Sequence, residues 1–393
     1  MAGIVVVIVV VAAVATFMVA NKGDDSADYK DGAFNIVSRV NSEGSGLYIK
    51  IADIEMKDGV PYRNDTAFYA VSGEAYTVSA ENAKAWGGLI FATPGVTSIQ
   101  HTQIASLAQS MGLKFIQYED GKKVPADSIG FWTNLSNYSL ITAAETMKVI
   151  DGGIIWEPQY QRVIQEKSDV FCGLALTNNL FPEHTCCVIV GNHDFINSKT
   201  EATQKFLAGY VKAVDFVNAA LSDKSSNDYA WLVNFTMEKT TGLSEQEVKD
   251  AFDTITYLYA DDAQGSLDKL TDDISNLVTS LDGLGNITGK YSDSQKFAEN
   301  FVDGSKLQDA LKADLGTENS GTVRVVAIGG DIHQIALHVA EEKGFFSGIN
   351  VDISYGAHGG AIAAAMQNGS ADFGFIGAPP ATITTINAGL ITV

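Results

Sequence analysis

The sequence is short of cysteine and of positive charge. Three cysteines in 393 residues cannot staple a chain of this size, which excludes a small disulfide scaffold. No CxxC pair, no Cys/His metal spacing and no His-x-His occur, so the usual sequence marks of a metal centre are missing. Lysine and arginine number 26 against 47 acidic residues, a formal charge of −21. Such a field repels phosphate backbones, and nucleic acid is not an expected partner. Hydrophobic residues make up 46% of the chain and charged ones 19%, which excludes a disordered polymer. What is left is a globular composition, long enough for two lobes with substantial cores.

Residues 2–20 (AGIVVVIVVVAAVATFMVA) carry no charge, and Lys22 is the first basic residue. As a helix at ~1.5 Å per residue this run nearly spans a ~30 Å hydrocarbon core, and it is too long for a strand. An export signal or an uncleaved membrane anchor is expected, with the bulk of the chain extracytoplasmic. No basic segment precedes the run and no cysteine follows it for lipid attachment. Residues 21–33 read as a polar, acidic spacer. Asn-x-Ser/Thr sites at Asn64, Asn134, Asn137, Asn234, Asn286 and Asn368 permit glycosylation in an exported protein. Cys186 and Cys187 lie in the apolar run TCCVIV, and Cys172 lies in DVFCGLAL. They read as free buried thiols or as a bridge from Cys172 to one of the pair.

After the spacer, strand-like runs alternate with amphipathic stretches. NIVSRV and GLYIKIADI read as strands separated by a turn at Asn41–Gly46. GGLIFATPGVTSIQHTQIASLAQSMG reads as strand, tight turn and helix, with Ile99, Ile104, Leu107, Ala108 and Met111 on one face. Residues 200–315 are mainly helical, and Leu267, Leu270, Ile274, Leu277, Val278 and Leu281 form a core-facing stripe. GTENSG at 316–321 is a linker. Beyond it, TVRVVAIGG, VDISYG and ADFGFIGAPP alternate as strands with helices. That order implies right-handed crossovers and a parallel α/β sheet with ligands at the carboxyl ends of its strands. The rule points at Gly329–His333, Tyr355–Gly360 and Gly377–Pro380.

Residues 323–393, with VRVVAIGGDIHQIALHVAEEKGFF, NVDISYGAHGG and ADFGFIGAPPATITTINAG, resemble the opening of solute-binding proteins of the nitrate/sulfonate/taurine ABC-importer family. NSEGSG, ATPGVTSIQH, GIIWEPQ and FPEHTCCVIV resemble the rest of that fold. The likeness covers nearly all of the chain after the spacer. It implies an α/β, periplasmic-binding-protein-like (type II) fold of two lobes, with parallel sheets and helices on both faces. The order departs from the family, because the family's opening portion stands last here. The chain therefore reads as circularly permuted, or else as a truncated copy followed by the start of another. The implied organisation is 1–33 signal and spacer, 34–74 lobe 1 and crossover, 75–186 lobe 2, 187–315 lobe 1, 316–321 linker and 322–393 lobe 1.

The family reading implies a small-molecule solute, a membrane permease as partner, a monomer, no cofactor and no catalysis. In the turn at 93–98, Gly95 permits close approach while Thr93, Thr97 and Ser98 offer hydroxyls before a helix N-terminus, which favours an anion. The same residues also suit an ordinary helix cap. Trp156 and Glu157 stand where the family contacts the ligand's non-anionic end. Ser42, Ser45, Asn134, Gly330, Asp331, His333, His358, Gly359, Gly377, Ala378 and Pro379 complete the expected ligand-binding set. Asp331 also reads as a helix cap, and the histidines as structural. A rival reading takes Asp331 and His333 with Asn192 and His193 as the metal ligands of a phosphoesterase. A thiamine pyrimidine-precursor synthase relative is a third, for which HisThrCysCys at 184–187 is a faint likeness.

Overall fold

The computed structural model describes residues 27–240, 242–260 and 267–392. The expected signal or anchor at 2–20 lies outside the described residues. No helix among those described is long and apolar enough to cross a membrane.

Two six-stranded sheets organise the chain. The smaller sheet is built from nearby sequence: Ile90–Ala92, Lys114–Gln117, Ser128–Trp132, Gly152–Trp156, Phe171–Leu176 and Ser45–Lys50. Helix Ile99–Ser110 covers one face through Ile104, Leu107 and Ala108. Helix Gln159–Glu166 covers the other through Tyr160 and Val163.

The larger sheet gathers distant segments. Its order is Ile255–Tyr257, Phe34–Glu43, Thr185–Asn192, Phe373–Gly377, Thr322–Ile328 and Asn350–Gly356. The tail strand Phe373–Gly377 runs antiparallel to Thr185–Asn192, with Val188 opposite Ile376 and Val190 opposite Gly374. The tail thus completes a sheet begun by the front of the chain. Alternation along the strands feeds two cores. Ile189, Val325, Phe373 and Phe375 face helices Thr200–Ser222 and Ile335–Glu342. Val188, Val190, Val326 and Ile376 face helices Leu267–Gly283, Ser294–Phe301 and Ala378–Asn387.

Both sheets are mixed, not wholly parallel. Pairing is parallel among the tail strands and among the strands at 90–92, 114–117 and 128–132. It turns antiparallel at the strands that carry the chain between sheets, because a chain crossing and recrossing must run opposite to its neighbours. The expected turn at Asn41–Gly46 is instead a crossing. The strand continues to Glu43, and two consecutive left-handed residues, Glu43 (φ 67°) and Gly44 (φ 79°), bend it into the smaller sheet. Glycine is required at 44, since a Cβ there would collide with the His333 ring. The chain changes sheet at Gly44, inside the 34–74 segment expected to hold a crossover, and returns between Leu176 and Thr185.

The spacer's last residues belong to the fold. Asp28–Tyr29 pairs antiparallel with Ile391–Thr392, so the two ends of the described chain lie side by side. The 316–321 linker has no regular structure, but Glu318 and Ser320 are held by the buried Lys205 ammonium.

Candidate functional site

A cavity of about 440 Å³ lies between the sheets. One wall comes from the smaller lobe. There the turn after Ile90–Ala92 brings Pro94–Gln100 to the surface, joined by Asn134, Ser136 and Trp156. The other wall comes from the tail: Ile328, Asp331, His333, Ala357–Gly360, Gly377 and Pro380. Cys186 and Cys187, on the strand returning from the smaller lobe, also line it.

Three helices begin at this cavity: Ile99–Ser110, Gly359–Gln367 and Ala378–Asn387. Each points the positive end of its dipole at the cavity; the first two also present first-turn backbone N–H groups, whereas Pro379 and Pro380 leave the third with few. Ser98 caps the first; its hydroxyl accepts from His101 N (3.2 Å) and donates to the Gly95 carbonyl (2.8 Å). His358 caps the second through Nδ1, which accepts from Ala361 N. The third has Gly377 at its start with no side-chain cap. A Cβ on Gly359 would stand 2.6 Å from Pro380 Cγ, so the second and third helices approach this closely only because glycine is there.

At the base of the cavity His333 is fully buried. Nδ1 lies 2.8 Å from Asp331 Oδ1, and Nε2 lies 2.9 Å from the Gly44 carbonyl. Both partners accept, so both ring nitrogens donate and the ring is an imidazolium. Burial alone would lower its pKa, but the Asp331 charge and hydrogen bond, with Cys186 and the Gly44 carbonyl, outweigh it and raise it to about 9. The same Gly44 carbonyl accepts from Glu157 N (2.9 Å). One carbonyl at the crossing therefore ties the tail and the smaller lobe together.

Nine of the sequence-predicted residues line the cavity: Thr97, Ser98, Asn134, Trp156, Asp331, His333, His358, Gly359 and Gly377. The others stand behind it or elsewhere. Thr93 is buried, bonded through Oγ1 to His101 Nδ1 (3.0 Å). Ser45 accepts from Gln100 Nε2 (2.9 Å) and orients that lining residue. Ser42 is buried within the crossing strand, opposite Thr185. Gly330 makes the left-handed turn before Asp331. Ala378 and Pro379 form the first turn of a helix; Ala378 lines a second cavity of about 210 Å³ beside His184 and Asp273.

Glu157 corrects the expectation of a ligand contact. Its carboxyl is buried and turned from the cavity to Gln161 (3.1 Å to Nε2, 3.2 Å to N) and Thr254 Oγ1 (3.1 Å). Burial raises its pKa to about 7, against the pull of those hydrogen bonds and the His333 charge. Gly360 and Pro380 fall within the strand-end segments the sequence pointed at, whereas Gln100 and Ser136, neighbours of chosen positions, were missed. Both cysteines were also missed as lining residues.

The metal constellation of the rival reading is not assembled. Both His333 nitrogens are taken. Asn192 lies five residues beyond Cys187 on its strand, roughly 16 Å away at ~3.3 Å per residue. Its side chain caps the next helix by accepting from Phe195 N (3.0 Å). His193 stacks on Tyr29 and bonds Asn35 through Nδ1. Among the described residues, no group of three or more His, Cys, Asp or Glu is placed to hold a metal ion.

No protein family model matches the chain, and no curated protein is detectably similar. Among solved structures it is similar to the ligand-binding component of an ABC-type import system from Staphylococcus aureus, determined with zinc bound. That likeness has a TM-score of 0.42 and 13% identity over 71% of this chain and 75% of that one. A likeness at that level leaves the site to be understood from this chain's own geometry.

Proposed function

We propose that the protein captures a small anionic or zwitterionic solute between its lobes, outside the cytoplasm, and delivers it to the permease of an ABC importer. The observation that carries this reading is the convergence of three helix N-termini on one cavity walled by both sheets. Each dipole end is equivalent to about half a positive charge, and none of the three brings a compensating acidic side chain in its first turn. A sulfonate, nitrate or carboxylate group suits that field. Trp156 supplies an apolar surface for the remainder of a taurine-like molecule or a pyrimidine thiamine precursor. A volume of about 440 Å³ suits such guests. Micromolar affinity needs about −8.2 kcal/mol, within reach of several hydrogen bonds, one charge contact and one stacked ring.

The chain works as a monomer and carries the family's order in permuted form. The paired ends at Asp28–Tyr29 and Ile391–Thr392 support permutation, since the family's continuous connection would bridge that gap. The test is thermal-shift screening of the soluble portion against taurine, alkyl sulfonates, nitrate and pyrimidine precursors. One class is expected to raise the melting temperature in proportion to the logarithm of its concentration. A flat response to all of them, with phosphate-ester turnover, would overturn the reading.

A further inference from the structure

Cys186 and Cys187 are adjacent residues of the strand Thr185–Asn192. Successive side chains of a regular strand point to opposite faces, yet here the two sulfurs lie 3.9 Å apart. The register explains it. Against the neighbouring strand, Thr185 pairs with Ser42 and Cys187 with Asn41, which leaves Cys186 as the extra residue of a bulge. Bulges re-aim side chains, and this one brings the two thiols together where both residues line the cavity. Both are free.

We propose that Cys186 and Cys187 form a reversible modification site, a vicinal disulfide made by a small peroxide that enters through the cavity. The Cys186 thiolate attacks one oxygen of hydrogen peroxide. The O–O bond breaks, leaving Cys186 as a sulfenic acid, and the departing hydroxide takes a proton to become water. The Cys187 sulfur then attacks Cys186 Sγ, the S–O bond breaks, and the lost hydroxide leaves with the Cys187 proton as a second water. Two thiols are oxidised by two electrons, and the peroxide is reduced by the same two.

The surroundings favour this order. A hydrogen bond from Cys187 and the His333 imidazolium stabilise the Cys186 thiolate against the cost of its burial, while Cys187 is held as a thiol by the same hydrogen bond and by burial. Adjacent Cα atoms are about 3.8 Å apart, closer than the ~4.4–6.8 Å of unstrained disulfides. The ring is therefore readily opened by a thiol reductant. Cys172 is an internal control: it is half-buried, lies outside the cavity and faces the Ile49 carbonyl (3.8 Å).

The reduced protein is treated with hydrogen peroxide, quenched, denatured and alkylated, then read by intact mass and peptide mapping. Wild type and C172S are expected to become two hydrogens lighter, with the loss mapped to the Cys186–Cys187 peptide. The wild-type thiol count should fall from three to one, and mild thiol treatment should restore it. Since both proteins keep the pair, no variant that disturbs the bulge is needed. The proposal is overturned if all three thiols remain alkylatable, if oxygen is added without loss of two hydrogens, or if the bridge involves Cys172.

Discussion

The two sheets are equal in strand number and opposite in origin. The smaller draws all six strands from one stretch, residues 45–176, whereas the larger takes strands from residues 34–43, 185–192, 255–257 and the tail. Local strands can assemble early; the larger sheet must wait for residues more than 300 positions apart. The cavity wall inherits this split. Its smaller-lobe side offers hydroxyls, amides and an indole, while its tail side offers glycines and a buried charge pair. One side is therefore open to substitution, and the other is tied to folding itself.

Ending the chain at Gly321 should have the largest effect. It removes three strands of the larger sheet and uncovers Val188, Ile189 and Val190, each worth about 1.5–3 kcal/mol of burial. Circular dichroism should show no cooperative melting of that sheet. Trp86, Trp132 and Trp156, all in the smaller lobe, should keep part of their native fluorescence. A truncated chain that melts like the whole would erase the contrast between the sheets.

Next comes the tie at Gly44. His333→Gln strands Asp331 without its charged partner, and urea unfolding should register a loss of about 3–5 kcal/mol. The pH dependence sharpens the point. Glu157 and His333 both hold a proton more tightly folded than unfolded, so their contributions fade as pH rises. That of Glu157 is full below 4.5 and lost through about 7; that of His333 is full below 6.5 and lost through about 9. Stability measured by urea should thus fall from pH 5 to pH 9, and Glu157→Gln should remove the lower part of the slope. A profile rising over that range would contradict the burial of Glu157 and the pairing of His333 with Asp331.

Smaller effects belong to the smaller lobe. Trp156→Ala should weaken whichever ligand the screen finds by about tenfold, read by calorimetry. Ser98→Ala removes a helix cap and should cost about 1 kcal/mol of stability. Unaltered affinity in both variants would remove that wall from the binding site.

Much of the fold was legible because its cues are local. The apolar runs at 90–92, 152–156 and 322–328 and the stripe at 267–281 became the expected strands and helix. The Gly-Gly turn that ends a strand pointed to Asp331 and His333, which line the cavity. The crossing at Gly44 lies in the 34–74 segment expected to hold a crossover, although its residues read locally as a turn, since nothing local tells a bend between sheets from a hairpin. Glu157 was placed in the site together with Trp156 by the family resemblance, but the strand's end turns one side chain to the cavity and buries the next. The cysteines' place on the wall depends on a bulge, a property of paired strands that one strand's sequence does not carry.

The tail and the front form one fold whose described ends lie side by side. A chain reordered to run 322–392, then 27–321, would join the paired ends Thr392 and Asp28 through a short glycine-serine segment and open at the linker. It should give a single cooperative melt near that of the natural order, with the same ligand response. Two independent transitions, or none, would contradict it.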